Sequence, residues 1–154
     1  MPRIAAKLVI GLAITAIGMF AADNSIGTWK FNPAKSKSTS TNPIKSQTDV
    51  REAIEGGVKV TRTRQLADGT SVNFSYTCKY GAKQCAVAGG EFDVITMKLE
   101  DANTTTFEAR KTGGKYHTTG RAVVSKDGKT RIQTTKGTDA SGKPITSTAV
   151  FDKQ

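Results

Sequence analysis

The sequence has few of the residues that build a large apolar core, and this scarcity limits the fold class. Aromatic residues make up 6% of the chain and hydrophobic residues 36%, part of them in one run near the N-terminus. A sheet covered by helices on both faces needs more apolar residues than this. In an antiparallel sheet, each strand contributes one apolar and one polar face. The composition therefore favours a single all-β domain.

Histidine and cysteine are too scarce for the usual metal sites and for most hydrolase machinery. His117 is the single histidine, and Cys78 and Cys85 are the only cysteines. These three residues do not supply the four ligands of a structural zinc site. No serine lies in a motif that indicates a nucleophile with its base. We therefore predict no metal, no cofactor and no catalytic residue, and we expect His117 at the surface or at a rim.

The positive charge of the chain is not concentrated in a dense cluster. The formal net charge is +10, of which Arg3 and Lys7 account for two, which leaves +8 for the rest. Lysines and arginines are spread over nearly every predicted strand and turn, which is typical of a solubilising surface. We therefore expect no nucleic-acid partner. Contact with an anionic surface of the cell envelope is the alternative that this charge leaves open.

The N-terminal segment has the layout of a secretory signal peptide. Residues 1–7 carry two positive charges and no acid, and residues 8–22 form an apolar run of about 15 residues, shorter than the roughly 20 of a membrane-spanning helix. We predict a signal peptide over residues 1–22, cleaved after Ala21 or Ala22, and a periplasmic or secreted protein. The bulky residues three positions before the cut leave an uncleaved membrane anchor as the alternative.

Turn signals divide residues 23–154 into short segments at regular intervals. Asp68-Gly69 and Asp127-Gly128 are typical of two-residue hairpin turns, and no segment shows a helical period. Residues 34–46 are rich in Ser, Thr and Lys and are predicted to form a flexible loop. We predict an antiparallel up-and-down meander of about eight to ten strands, closed as a β-barrel because closure removes the exposed sheet edges. The predicted strands are 26–31, 47–55, 58–66, 70–80, 84–88, 92–99, 104–111, 115–125, 130–137 and 143–152.

The spacing of the two cysteines predicts a disulfide. With Gly81-Ala82 as a two-residue turn, Cys78 lies directly opposite Cys85 across a hairpin. Directly opposed Cα atoms of an antiparallel pair are roughly 4.5–5.5 Å apart, which is within disulfide range. An exported protein also meets an oxidising compartment.

Alternation along two predicted strands places arginines and tyrosines on apolar faces. Tyr76 shares its face with Val72, Phe74, Cys78 and Tyr80, and Arg62 and Arg64 share theirs with Val58, Val60 and Leu66. Buried charge is costly unless it is paired, so the two arginines require carboxylates or an anionic ligand. We predict an interior anion site formed by Arg62, Arg64, Tyr76 and Tyr116. A strand twist or bulge that leaves both arginines in solvent is the alternative.

The first predicted strand resembles that of the calycin superfamily, which includes lipocalins and fatty-acid-binding proteins. The motif Gly27-Thr28-Trp29 matches their Gly-x-Trp, and the wider segments 27–36, 124–129 and 135–137 resemble small exported bacterial proteins of lipocalin-like type. The resemblance implies a barrel in which Trp29, beside Gly27, plugs one end. A ligand-stacking role is the alternative for Trp29.

The same resemblance implies a basic residue over this tryptophan. Lipocalins place that residue on the last strand, where this chain has Lys153, and Arg131 lies one strand earlier. The two helices that fatty-acid-binding proteins insert after the first strand have no counterpart here, because the loop 34–46 takes their place.

The resemblance and the inward arginines together predict a non-enzymatic binding protein. Its ligand is expected to be a small hydrophobic or amphiphilic anion held inside the barrel. The alternative is a structural or interaction protein of the cell envelope that has no small-molecule cavity. A filled barrel interior would favour this alternative.

Overall fold

Ten antiparallel strands, joined in chain order, close into a β-barrel in the computed structural model, which describes residues 22–154. The ten barrel strands are β1 (Gly27–Phe31), β3 (Ile44–Ile54), β4 (Gly57–Leu66), β5 (Ser71–Lys79), β6 (Cys85–Ala88), β7 (Val94–Asp101), β8 (Thr104–Arg110), β9 (His117–Val124), β10 (Thr130–Thr138) and β11 (Pro144–Lys153). An additional two-residue strand, β2 (Lys37–Ser38), follows β1 in the chain. Strand β1 pairs with both β3 and β11, which closes the barrel.

The predicted closed meander is confirmed, and each of the ten predicted strands is present with bounds that differ by a few residues. The predicted signal peptide lies outside the described residues except for Ala22. No helix within residues 22–154 combines the length and the apolar character that crossing a membrane requires.

The segment 34–46 is more regular than the predicted flexible loop. It contains most of a short 3-10 turn at Pro33–Lys35, the two-residue strand β2, and the beginning of β3 at Ile44. Strand β2 pairs with β11 just beyond the residues that pair with β1. The reason is that β1 covers only part of the long edge of β11, so the following residues bond to the backbone groups that remain.

The inner face of β3 is polar, contrary to its alternation pattern. The residues that point inward are Gln47, Asp49 and Arg51, whereas the apolar Val50 points outward and is 37% exposed. The turn before β4 places Ile54 opposite Gly57 and Asp49 opposite Arg62. Gly57 is required within the strand because a Cβ there would lie 2.1 Å from the carbonyl oxygen of Cys78.

The predicted Cys78–Cys85 disulfide is present, with the two Cα atoms 5.3 Å apart. The register that pairs Tyr76 with Val87 places Cys78 opposite Cys85 two residues further on. The turn differs in detail from the predicted one. Its central residues are Tyr80 and Gly81, and the Ala82 amide closes it by donating to the Lys79 carbonyl. With φ of +79°, Gly81 occupies the left-handed region that glycine adopts without strain.

We expect the double variant Cys78→Ala/Cys85→Ala to lose about 2 kcal/mol of unfolding free energy. The disulfide closes a short loop, so it restricts the unfolded chain less than a long-range disulfide does. Urea unfolding followed by circular dichroism measures the loss, with the outward-facing Ser75→Ala on the same strand as a control. Two free thiols in the denatured, unreduced protein would contradict the disulfide itself.

Candidate functional site

A cavity of about 590 Å³ occupies the barrel interior. One end of the barrel, the closed end, is filled by Trp29, Val124 and Phe151. At the opposite end, the mouth, the cavity reaches the exposed residues Pro43 and Glu91. The volume lies within the roughly 300–1,000 Å³ that is typical of small-molecule sites. The cavity can therefore accept a small ligand through the mouth.

The cavity has two chemically different walls. The polar wall comes from β3, β4 and β10 and consists of Gln47, Arg51, Arg62, Arg64, Arg131 and Gln133. The largely apolar wall comes from β7, β8 and β9, where the hydroxyls of Thr105 and Thr118 are interspersed among Ile95, Met97, Phe107, Ala109, Ala122 and Val124. In the closed order of ten strands, β8 lies across the barrel from β3, and β9 across from β4. The interior is therefore amphipathic across its width.

Asp49 organises the polar wall. Its carboxylate is fully buried and accepts two bonds from Arg62, Nε to Oδ1 at 2.6 Å and Nη2 to Oδ2 at 2.8 Å. Arg131 donates Nη2 to Oδ2 at 2.6 Å, and Gln47 donates Nε2 to Oδ1 at 2.8 Å. Burial alone raises the pKa of this carboxyl, but the charges of Arg62 and Arg131 outweigh it and hold the pKa well below its usual range. Asp49 is therefore ionised whenever the protein is folded near neutral pH.

Arg62 and Arg64 both line the cavity, and their guanidinium carbons lie 5.0 and 5.9 Å from the ring centroid of Phe74. Arg64 donates to the Gln47 side chain at 2.7 Å and pairs with Glu91 at 3.3 Å. Burial, with the charge of Arg62, lowers the pKa of Arg64 to about 10. Arg64 thus stays charged at neutral pH and is held near the mouth.

Tyr76 and Tyr116 line the same cavity as the two arginines. Tyr76 is buried and stacks near Phe74, with centroids 6.4 Å apart. Tyr116 stacks on Phe92 at 5.6 Å and accepts a bond from Thr118 Oγ1 at 3.4 Å. Burial raises the pKa of Tyr116, so its hydroxyl stays protonated near neutral pH. The structure thus brings all four residues of the predicted site together.

Trp29 and Gly27 lie at the closed end. Trp29 is 0% exposed, donates Nε1 to the Ser25 carbonyl at 2.8 Å, and is not among the described residues that line the cavity. Arg131 and Lys153 both approach its ring, at 5.7 and 5.2 Å from the centroid. Gly27 has φ of +127°, and a Cβ there would lie 2.9 Å from Lys153 Cε. The glycine therefore provides the backbone conformation and the space that Lys153 needs.

Sequence reasoning missed Asp49 and Arg51 and linked Arg131 only with Trp29. The alternation of β3 concealed the first two, because the apolar Val50 and Ile54 favour the wrong inner face. Charge complementarity could have identified Asp49. When the hairpin turn pairs Ile54 with Gly57, the carboxylate of Asp49 on β3 lies opposite Arg62 on β4.

His117 lies on the outer surface, as expected from the sequence. Its Nε2 is 2.8 Å from Glu108 Oε1, and both side chains are about half exposed. Within residues 22–154, no three His, Cys, Asp or Glu side chains are grouped so that they could hold a metal ion.

Comparison with known proteins supports the fold. No family model and no curated protein matches the chain. Among solved structures, EF1p2_mFAP2b bound to DFHBI is similar, with a TM-score of 0.50 over 85% of this chain and 94% of that chain, at 9% sequence identity. At this identity the similarity concerns fold alone. The chain is thus a ten-stranded antiparallel β-barrel similar in architecture to the lipocalin or calycin type.

Proposed function

We propose that the protein is an exported, non-enzymatic binding protein that holds a small amphiphilic anion in its barrel. The observation that carries this proposal is the cavity of about 590 Å³ with arginines on one wall and apolar side chains on the other. A ligand with an anionic head and an apolar body matches both walls. The structural neighbour is a barrel that was determined with DFHBI bound, which is compatible with a small-molecule partner here.

Specific donors support the anionic part of the proposal. Nε and Nη2 of Arg62 donate hydrogen bonds to Asp49. Nη2 of Arg64 has no hydrogen-bond partner among the described residues and is available to a ligand. The hydroxyls of Tyr76 and Tyr116 add donors on the same cavity surface. Hydrogen bonds from charged donors are about twice as strong as neutral ones, so these groups favour an acid over a neutral ligand.

The alternative, an envelope structural protein without a cavity, requires a filled interior. The cavity volume argues for a ligand instead. The position of His117 on the outer face supports a non-enzymatic role, because no imidazole among the described residues reaches the cavity. The buried disulfide is compatible with an oxidising compartment, and we therefore keep the periplasmic or secreted location as part of the proposal.

The test is displacement of a fluorescent fatty-acid analogue. We expect the wild-type protein to bind it and Arg64→Gln to bind roughly tenfold or more weakly, because the variant removes a charged donor at the mouth. Arg64 suits this purpose better than Arg62, whose loss would also leave Asp49 with fewer partners. The control is Lys98→Gln, an exposed lysine on the outer face of β7.

If no amphiphile binds the wild-type protein, and native mass spectrometry of protein purified from its own envelope finds no retained small molecule, the ligand-binding function is wrong.

A further inference from the structure

The deep part of the cavity contains more positive than negative charge. Three arginines, Arg51, Arg62 and Arg131, are at least nine-tenths buried, and Asp49 is the one buried carboxylate among the described residues. Arg64 is not part of this excess, because Glu91 pairs with it at the mouth. Two positive charges therefore stay uncompensated, although burying charge without a partner is costly.

Asp49 has no capacity left for a third arginine. Its two oxygens already accept four hydrogen bonds, two from Arg62 and one each from Arg131 and Gln47. A carboxylate offers about four acceptor positions. The remaining donors of the polar wall must therefore find another acceptor.

Arg51 and Arg131 hold these remaining donors. Arg51 is 4% exposed and lines the cavity, and its one acceptor among the described residues is Ser25 Oγ, 3.1 Å from Nε. Both Nη groups of Arg51 are thus without a protein acceptor in the described part of the chain. Arg131 is 1% exposed; its Nη1 donates to the Gln133 side chain at 3.4 Å, and only its Nε is buried with no hydrogen-bond partner among the described residues.

The nearby acid at the closed end does not balance Arg51. Asp23 is only half-buried and accepts bonds from the Tyr80 hydroxyl and the Ser25 amide. It forms no ion pair with Arg51 within 4 Å. Burial, with the charges of Arg51 and Arg62, lowers the pKa of Arg131 to about 10, so Arg131 lies within the electrostatic reach of both other guanidinium groups.

We propose that Arg51 and Arg131 form a deep subsite for a doubly charged phosphate group of phosphate-monoester type. This inference rests on the proposed ligand-binding function and names the head group of the ligand. A dianion neutralises both uncompensated charges, whereas one carboxylate neutralises only one. The planar fork of arginine matches phosphate geometry, and Arg51 has both Nη groups available for two parallel hydrogen bonds, whereas Arg131 contributes its charge and its unpartnered Nε. The apolar wall then accommodates the body of the ligand.

The same phosphate chemistry is present in a single-chain phospholipid head and in free inorganic phosphate. The test therefore uses decyl phosphate, decyl sulfate and inorganic phosphate, each titrated by calorimetry below micellar concentration. Decyl phosphate and decyl sulfate have the same alkyl chain and a tetrahedral head group. At pH 8 the phosphate head carries two negative charges and the sulfate head carries one.

For the wild-type protein at pH 8, we expect decyl phosphate to bind at least tenfold more tightly than decyl sulfate. At pH 5 this ratio should fall towards one, because a phosphate monoester loses its second charge below its second pKa of about 6. If the affinity for inorganic phosphate is within tenfold of the affinity for decyl phosphate, the ligand is the free anion. Much weaker binding of inorganic phosphate identifies the lipid-like source.

The variant Arg51→Gln tests the assignment to residues. We expect it to reduce the phosphate-to-sulfate ratio at pH 8 to about one, whereas Lys79→Gln, an exposed lysine on β5, leaves the ratio unchanged. If circular dichroism shows that Arg51→Gln is unfolded, the wild-type comparison decides alone.

Three outcomes overturn the inference. Equal binding of the two amphiphiles by the wild-type protein removes the dianion subsite and leaves the proposed function intact. An unchanged ratio in folded Arg51→Gln removes Arg51 from the subsite. If neither amphiphile nor inorganic phosphate binds, the subsite fails, and displacement of the fatty-acid analogue together with native mass spectrometry decides the proposed function separately.

Discussion

Replacing Asp49 by asparagine is expected to lower the unfolding free energy by about 3–5 kcal/mol, because it breaks a buried ion pair from one side. Asp49 is fully buried and contacts Arg62 and Arg131 at 2.6 Å. Without its charge, three buried guanidinium groups lie in one interior with no buried carboxylate among residues 22–154. The variant keeps the shape of the side chain, so the loss measures the charge and not a cavity. Urea unfolding at pH 7 is the measurement.

The pH dependence of stability gives a second readout of the same carboxylate. The pKa of Asp49 is held in the folded state below its ordinary value of 3.8, so the unfolded state binds the proton more readily. Its stabilising contribution is therefore complete above about pH 4 and is lost as the pH falls towards the folded-state pKa. In Asp49→Asn, the decline of stability below pH 4 should be shallower than in the wild type.

The matched control for Asp49 is Glu52→Gln on the outer face of the same strand. Glu52 pairs with Lys59 at 3.3 Å, with both side chains about half exposed. Exposed ion pairs contribute little to stability, so we expect Glu52→Gln to change the unfolding free energy by no more than about 1 kcal/mol. If Asp49→Asn lowers the unfolding free energy no more than this control, the buried network does not stabilise the barrel.

Replacing Trp29 by alanine should lower the unfolding free energy by about 3–5 kcal/mol. The ring is fully buried with Val124, Ala149 and Phe151, so its removal leaves a cavity at the closed end. Two further losses add to this. The Ser25 carbonyl loses its indole donor, and Arg131 and Lys153 lose the aromatic face that their charges approach. The unfolding free energy of a typical domain is only about 5–15 kcal/mol, so this variant should be marginally stable.

A graded series separates these contributions. Trp29→Phe keeps an aromatic ring but removes the indole N–H, and we expect a loss of about 1–3 kcal/mol for the unsatisfied Ser25 carbonyl. The control is Ile132→Ala, since Ile132 is 44% exposed on the outer face of β10. Denaturant unfolding followed by far-ultraviolet circular dichroism suits all three variants because it does not depend on tryptophan fluorescence. A loss below 1 kcal/mol in Trp29→Ala would contradict the plug.

The features that were predictable are those governed by neighbours in the chain. The hairpins could be located because Gly and Asp-Gly turns have local backbone requirements. The disulfide followed from a register that depends only on the turn between Cys78 and Cys85. The inward faces of β4 and β5 followed from alternation, because Val58, Val60, Phe74 and Tyr76 mark them clearly.

The feature that was not predictable from local pattern is the inner face of β3. Its apolar residues Val50 and Ile54 alternate with Gln47, Asp49 and Arg51, and a pattern argument buries the apolar set. The barrel buries the polar set instead, because Asp49 meets Arg62 across the hairpin. Val50 is 37% exposed as a consequence, and alternation within one strand does not reveal which residue lies across the hairpin.

The amino-acid sequence by itself determined an antiparallel meander with a hairpin disulfide and arginines on an inner face, because turn chemistry and a two-residue period act over a few residues. Only the tertiary structure decided what those arginines meet. Asp49 and Arg131 are 82 residues apart in sequence, and they become partners because β1 closes the sheet between β3 and β11. Closure also creates the cavity, whose size and two walls depend on all ten strands together.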